Sequence, residues 1–166
     1  MGFFDGPYEE SQMPIQVWTD GACSGNPGKG GAAAILRYVD NTVKELAFHE
    51  ENSTNQRMEI KAVIIAFEQI LETPHAEKYI EVYSDSAYVC NCINQKWYEK
   101  WFKNGWINSK KEPVANKDLW ESLFDKLNTL EKNHQVTFVK VKGHSGENVW
   151  NEKVDRLAVR ASQGEV

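Results

Sequence analysis

The order of strand-like and helix-like apolar patterns constrains the fold of this chain most strongly. Three segments with strand character come first, joined by short links, which predicts an antiparallel meander. Two alternating segments follow, each reached through helical segments, which predicts two parallel strands in the same sheet. We therefore expect an α/β fold with a mixed five-stranded sheet flanked by helices. The predicted strands are 15–19, 31–38, 44–50, 79–83 and 135–142, and the predicted helices are 53–71, 86–94, a basic helix after 96, 116–127 and 148–161.

Length and composition predict one domain of an ordinary globular protein. The chain has 166 residues, of which 41% are apolar and 26% charged, enough for a sizeable core. We expect a flexible N-terminal arm over residues 1–14 and a domain over residues 15–162. No apolar run is long enough for a membrane span, and no signal peptide opens the chain. Three cysteines without zinc-site spacing predict free thiols in the cytoplasm, and we expect a monomer.

Four acidic side chains lie where an isolated charge is costly. Asp20 and Asp85 each follow a predicted strand, although either one has an ordinary alternative role, in a turn or as a helix cap. Glu59 and Asp155 lie on predicted helices beside the apolar stripe, where a buried carboxylate needs a partner. Carboxylates gathered in one place repel each other unless cations are present. Their hard oxygen ligands suit Mg²⁺ or Mn²⁺, and no histidine–cysteine cluster indicates zinc.

One segment has the opposite charge from the rest of the chain. The net charge is −5, so the protein as a whole repels nucleic acid and could bind it only through a local basic patch. The basic segment, defined as residues 96–117, carries six lysines against two glutamates and several aromatic residues. Lysines suit phosphates, and flat rings suit sugars and bases, which favours a nucleic-acid contact. The alternative is a helix whose tryptophans pack on the core while its lysines are solvated.

Several motifs together resemble type 1 ribonuclease H. They are TDGACSGNPG at 19–28, TNQRME at 54–59, YSDSAYV at 83–89, DLW at 118–120 and VKGHSG at 141–146, followed by Asn151 and Asp155. They come in the family's order and at nearly its spacing, from about Ile15 to Ala161. The resemblance implies the ribonuclease H fold and hydrolysis of the RNA strand of RNA–DNA hybrids, which leaves 5′-phosphate and 3′-hydroxyl ends. The basic segment resembles the family's basic protrusion, about residues 95–117.

The resemblance also implies roles for the acidic residues. Two Mg²⁺ ions, with Mn²⁺ as the alternative, would be bound at Asp20, Glu59, Asp85 and Asp155. Asp20 would bridge both ions, and Asp155 would help hold the ion that activates the attacking water. Glu59 and Asp85 would hold the ion at the leaving oxygen. His144 matches a mobile histidine that assists proton transfer or product departure.

Substrate-binding residues are carried over in the same way. Contacts to the 2′-hydroxyl groups of the RNA strand are expected near the glycine-rich stretch and the start of the first helix, at Cys23, Ser24, Gly25, Asn26, Asn55 and Gln56. Contacts to the DNA strand are expected at Asn26, Thr54, Trp97, Lys100, Trp101, Lys103 and Trp106. The chain departs from the family's pattern at Gln56 and Ala87, and in a loop after His144 that is about one residue longer. The first fourteen residues are too few for a separate hybrid-binding domain.

Three other interpretations stay open at this point. A catalytically silent module could bind hybrids with the same fold, although binding phosphates gives no reason to gather four acids. The same fold also serves DNA nucleases and integrases, so the substrate could be DNA. The chain could also be a domain of a reverse transcriptase. The TNQRME motif and the basic segment favour the enzyme acting on hybrids.

Overall fold

The computed structural model describes residues 13–73, 76–143 and 148–166. It contains the five strands β1 (Ile15–Gly25), β2 (Gly28–Arg37), β3 (Val43–Ser53), β4 (Tyr79–Ser84) and β5 (Gln135–Lys140). They form one sheet in the order β3-β2-β1-β4-β5. Strands β1, β2 and β3 pair antiparallel, whereas β4 pairs parallel with both β1 and β5. The predicted mixed sheet is therefore confirmed.

Helices cover both faces of this sheet. They are α1 (Asn55–Glu72), α2 (Ala87–Asn94), α3 (Trp97–Asn104), α4 (Lys117–Leu130) and α5 (Val149–Ser162). Strand β2 shows the two layers because its side chains alternate between the faces. Ala32 belongs to a cluster with Met58 of α1, and Ala33 to a cluster with Ala158 of α5. None of these helices is both long and apolar enough to cross a membrane.

Polar side chains set the start of three helices as their sequences indicate. The hydroxyl of Thr54 accepts a hydrogen bond from the Arg57 amide at 3.2 Å, so Thr54 is the cap of α1, one residue after the predicted start at 53. Ser86 caps α2 by accepting from the Val89 amide at 3.2 Å. Asn148 caps α5 in the same manner. Asp85 is therefore not the cap of α2, and its alternative role as a cap is excluded.

Strand β1 is longer than its sequence indicates. The sequence predicts a strand over 15–19 with Asp20 directly after it, and this end of the strand is wrong. The strand continues to Gly25, and Asp20 pairs with Ala33 across the β1–β2 hairpin. Gly21 pairs with Ala32 in this hairpin, and the pairing runs on to Gly25, whose positive φ begins the turn to Gly28. Only Asn26 and Pro27 separate the two strands.

Candidate active site

Two of the four acidic residues lie at the same end of two neighbouring parallel strands. The pairing of β1 with β4 ends at Trp18 and Tyr83, and Asp20 lies two residues beyond it on β1. Asp85 follows the last residue of β4 directly. Because parallel strands run in one direction, the two carboxylates reach the same edge of this part of the sheet. The strand order thus explains how residues far apart in sequence meet.

A close approach of backbones brings Glu59 to the same place. Glu59 is in the second turn of α1, and a Cβ atom added to Gly21 would lie only 2.5 Å from the Glu59 nitrogen. Real Cβ atoms do not approach backbone so closely, so the chain needs glycine at position 21. The Gly21 amide also donates to Oδ1 of Asp20 at 2.9 Å. The first turns of α1 therefore pack against β1 beside Asp20.

The four predicted acids come together in the folded chain. One carboxylate oxygen each from Asp20, Glu59 and Asp85 lies within 4.8 Å of the other two. Asp155, on α5, is hydrogen-bonded to the Asp20 carboxyl. We call these four residues the acidic centre. It borders a cleft of about 250 Å³ that is lined by Thr19, Asp20, Asp85, Val141, Lys142, Gly143, Asn148, Asn151, Glu152, Val154, Asp155 and Arg156.

The electrostatics of the acidic centre favour a bound cation. The pKa of Asp20 is raised to about 10, first because its carboxyl is buried and then because the other three acids surround it. Burial and the charge of Asp85 raise the pKa of Glu59 to about 8. Oε2 of Glu59 is buried and has no hydrogen-bond partner among the described residues. Two buried carboxyls that resist ionisation, one with an unpaired oxygen, fit a site for a hard divalent cation.

The fifth predicted catalytic residue, His144, lies outside the described residues. The structure ends this stretch at Gly143, which packs against the Asp85 side chain. The predicted role of His144 therefore stays a prediction.

The predicted RNA-strand residues form one surface beside the acidic centre. Asn26, at the tip of the β1–β2 hairpin, accepts a hydrogen bond from the Asn55 amide through Oδ1 at 3.1 Å. This contact joins the hairpin tip to the start of α1, where Thr54 caps the helix and Gln56 is exposed. The cysteine of the hairpin, Cys23, donates to the Ser53 carbonyl at 3.4 Å. Exposed polar groups lie on this surface at Ser24, Asn26, Asn55 and Gln56, next to the exposed backbone of Gly25.

The basic segment combines exposed lysines with packed tryptophans. Lys100 and Lys103 are exposed on α3. Trp97 and Trp101 are half-buried, and their rings contact one another edge to face at 6.4 Å. Both rings pack against the main core.

Trp106 is placed differently from its predicted role. It is only 9% exposed, and its ring stacks on Trp101 at 5.7 Å and lies 6.5 Å from Phe124. A ring held between two others leaves little area for a nucleic-acid contact. For Trp106 the packing alternative is therefore correct, because the hydrophobic cluster buries the ring. Phe102 is the exposed aromatic residue of α3, at 54%. The sequence analysis counted Phe102 among the aromatic residues of the segment but assigned it no substrate contact, since it lies off the helix face of residues 97 and 101.

An ion pair connects the start of α1, which carries Glu59 of the acidic centre, to the start of α4, which follows the basic segment. Arg57 of α1 donates to both carboxylate oxygens of Asp118 at the start of α4, at 3.0 and 2.9 Å. Arg57 lies two residues before Glu59, and Asp118 directly follows the basic segment. Sequence reasoning had quoted both residues as parts of motifs without pairing them. Such a bidentate pair fixes the relative orientation of two helices.

Cleft residues that sequence reasoning did not single out include Lys142, Asn148, Glu152 and Arg156. Glu152 and Arg156 lie within one helical turn of Asp155 on α5. The spacing of Glu152 was a usable signal, because it lies three positions before Asp155 and residues three or four positions apart share a helix face. Lys142 follows β5 and could not be placed without the sheet order.

Comparison with known proteins identifies the family. The model of the RNase H family matches residues 12–163. A Ribonuclease H of Thermoanaerobacter sp. (strain X514) is 50% identical over 144 residues, which cover 87% of this chain and 86% of that protein. A Ribonuclease H of Chlorobaculum parvum is 51% identical over 147 residues, which cover 89% of this chain and 94% of that protein.

A solved structure agrees with these relatives. The crystal structure of LC9-RNase H1, a type 1 RNase H with the type 2 active-site motif, matches with a TM-score of 0.78 and 28% identity. The match covers 92% of this chain and 73% of that one. The chain belongs to the ribonuclease H family.

Proposed function

We propose that this chain is an endonuclease that hydrolyses the RNA strand of RNA–DNA hybrids at the acidic centre. The family supplies the class of enzyme, a metal-dependent endoribonuclease. The observation that carries the assignment to this cleft is the convergence of Asp20, Glu59 and Asp85 within 4.8 Å, with Asp155 bonded to Asp20. A module that only binds phosphates gains nothing from burying acids together, since they repel the substrate.

The acidic centre is proposed to hold two Mg²⁺ ions during catalysis, with Mn²⁺ as a substitute. Asp20, Glu59, Asp85 and Asp155 would be their ligands. The bound ions would supply positive charge that lowers the pKa of the attacking water and stabilises the charge on the leaving oxygen. The raised pKa values of Asp20 and Glu59 support this assignment, because a bound cation offsets both the burial and the repulsion that raise them.

The carboxylates of the acidic centre orient the attack. A water molecule attacks the phosphorus in line with the bond to the 3′-oxygen, and that bond breaks. One product therefore ends in a 5′-phosphate and the other in a 3′-hydroxyl. We assign His144 to proton transfer or product departure, by its match to the family motif.

Recognition of the hybrid is divided between two surfaces in this proposal. The hairpin tip and the start of α1 would contact 2′-hydroxyl groups of the RNA strand, through backbone and amide groups from Cys23 to Asn26 and at Asn55 and Gln56. The lysines of the basic segment, Lys100 and Lys103 among them, would contact phosphates of the DNA strand, together with Thr54 and the exposed edges of Trp97 and Trp101. The bond between Asn26 and Asn55 supports the first surface, because it holds the two parts together.

We further propose that residues 15–162 form the catalytic unit and that the protein acts as a monomer in the cytoplasm. The five strands and five helices of the described residues all lie within these bounds. The three free cysteines, Cys23, Cys90 and Cys92, suit a reducing compartment.

The test is cleavage of one labelled sequence as an RNA–DNA, an RNA–RNA and a DNA–DNA duplex, with Mg²⁺ and with chelator. Metal-dependent cutting of only the RNA strand of the hybrid is the expected result. Tight binding of the hybrid without cutting, under Mg²⁺ or Mn²⁺, would make the protein a binding module. Cutting of DNA would contradict the assigned substrate.

A further inference from the structure

We propose that Gly143 is a positioning residue that holds the Asp85 carboxylate in the acidic centre. A Cβ atom added at Gly143 would lie 2.5 Å from Oδ2 of Asp85 and 3.3 Å from its Cβ and Cγ. The bare Cα of Gly143 thus lies directly against the Asp85 side chain. The three nearest atoms to the added Cβ all belong to Asp85, so the contact is specific to this residue.

The need for glycine at this position comes from space and not from backbone conformation. The φ angle of Gly143 is outside the left-handed region. Gly25, Gly105 and Gly164, in contrast, have left-handed φ angles. An alanine could therefore adopt the same backbone. Its methyl group, however, would occupy the place of the Asp85 carboxylate.

A backbone hydrogen bond close to this contact favours movement of the side chain over movement of the backbone. The Val141 amide donates to the Ser84 carbonyl at 2.9 Å, which ties the segment after β5 to the end of β4. On the other side of the contact, the Ser86 amide donates to the Ser84 hydroxyl at 3.1 Å, so a hydrogen bond joins the two residues that flank Asp85. A methyl group at position 143 would push the Asp85 carboxylate away rather than shift either segment. The oxygen that now lies within 4.8 Å of Asp20 and Glu59 would leave its place.

Gly21 shows the contrasting case. A Cβ there would meet backbone atoms of α1, at 2.5 Å from the Glu59 nitrogen and 2.6 Å from the Met58 carbonyl carbon. Substitution of Gly21 therefore separates a helix from the sheet and disturbs the fold. At Gly143 the obstacle is one side chain, so removing that side chain should remove the effect.

The experiment is a double-mutant cycle with Gly143→Ala and Asp85→Ala, read as thermal unfolding in chelator. Gly143→Ala should lower the midpoint in the wild-type background and lower it much less in the Asp85→Ala background, because the truncated side chain leaves room for the methyl group. Equal losses in the two backgrounds would overturn the proposal. If Gly143→Ala alone does not fold, the double variant should fold, and an unfolded double variant would also overturn it.

A second measurement follows the consequence for the metal, and it rests on the proposed function. Calorimetric titration with Mn²⁺ should show binding to Gly143→Ala weakened by about tenfold, the size typical of weakened support around a metal ligand. Hybrid affinity in chelator should stay the same. Unchanged Mn²⁺ affinity would contradict the positioning role. If the wild type bound no Mn²⁺, the proposed function would fail, and the unfolding cycle would still decide the role of Gly143.

Discussion

The acidic centre and the basic segment use charge in opposite ways. The acidic centre collects four carboxylates from β1, α1, the end of β4 and α5, and Asp20 is buried there. The basic segment carries its six lysines within 22 consecutive residues, all on the surface. One region is assembled by contacts between distant parts of the chain, and the other by local packing of aromatic rings.

The difference shows what each region can do. Buried like charges are unfavourable in the protein alone, so the acidic centre stores repulsion that a cation relieves. Solvated lysines cost the fold little, so they are free to meet phosphates. Chemistry is therefore expected at the acidic centre and affinity at the basic segment. The following changes test this division, from the largest expected effect to the smallest.

Asp20→Asn should have the largest effect. Asp20 contacts the whole acidic centre, so its loss should lower kcat by about 10³-fold or more, as for catalytic groups that act as a unit. Hybrid affinity in chelator should change little. The matched control is Asp125→Asn, at an exposed acid on α4, which should keep normal turnover. Retained turnover in Asp20→Asn would show that the metal site lies elsewhere.

Trp106→Ala should reduce stability rather than specificity. Loss of this buried ring should lower the free energy of unfolding by about 3 kcal/mol, the usual cost of emptying an aromatic site. Phe102→Ala is the control, because the Phe102 ring is 54% exposed and should cost about 1 kcal/mol or less. Denaturant unfolding measures both. Equal stability losses in the two variants would mean that the Trp106 ring contributes no more to packing than the exposed Phe102 ring.

The pH dependence of stability should differ with and without metal. The pKa of Asp20 rises on folding from 3.8 to about 10 and that of Glu59 from 4.5 to about 8, so the folded chain binds more protons between these values. The contribution of these two groups to stability in chelator should therefore be greatest below about pH 4. This contribution should fall as the pH rises towards 8 to 10.

Thermal unfolding from pH 5 to pH 9 checks this expectation. In chelator the midpoint should fall steadily across this range, because the unfolded chain releases the two protons that the folded chain retains. Mg²⁺ should reduce the decline, and Asp20→Asn should flatten it even in chelator. A flat profile of the wild type in chelator would mean that neither burial nor the neighbouring acids raise the pKa of these carboxyls in the folded chain.

Replacement of Lys96, Lys100 and Lys103 by Ala should have the smallest effect, and it should weaken binding of the hybrid rather than slow its cleavage. Hybrid affinity should fall by about tenfold, and the slope of log affinity against log salt should become shallower by about 1 for each phosphate that the variant no longer neutralises. The kcat at saturating hybrid should be unchanged. A control with Lys44, Lys126 and Lys132 replaced has the same change in charge outside the segment. Equal weakening in both triple variants would mean that only net charge matters.

Much of the fold could be predicted because its signals are local. Apolar alternation located the strands, and the predicted helix over 53–71 matched α1 to within two residues at its start. The meeting of Asp20 and Asp85 followed from two parallel strands in one sheet. The extent of β1 could not be predicted, because Gly21 and Gly25 favour a turn and the continuation of the strand depends on its pairing with β2.

The contacts that shape the site were beyond sequence reasoning for a related reason. The approach of Gly143 to Asp85 and the pairing of Arg57 with Asp118 depend on where distant segments meet. The burial of Trp106 depends on the rings of Trp101 and Phe124. The lysine-rich composition of the segment gave no indication of these contacts. The composition of the basic segment indicated its charge, but it did not indicate which of its aromatic rings are buried.

The most direct test of the acidic centre is anomalous diffraction from crystals of the protein with Mn²⁺ and an uncleavable RNA–DNA hybrid. The expected result is anomalous density in contact with Asp20, Glu59 and Asp85, with oxygen distances of about 2.0 to 2.2 Å as for small hard cations. A second peak beside Asp155 is expected for the two-ion proposal. Density for Mn²⁺ only at other residues, with the three carboxyls bare, would contradict the account.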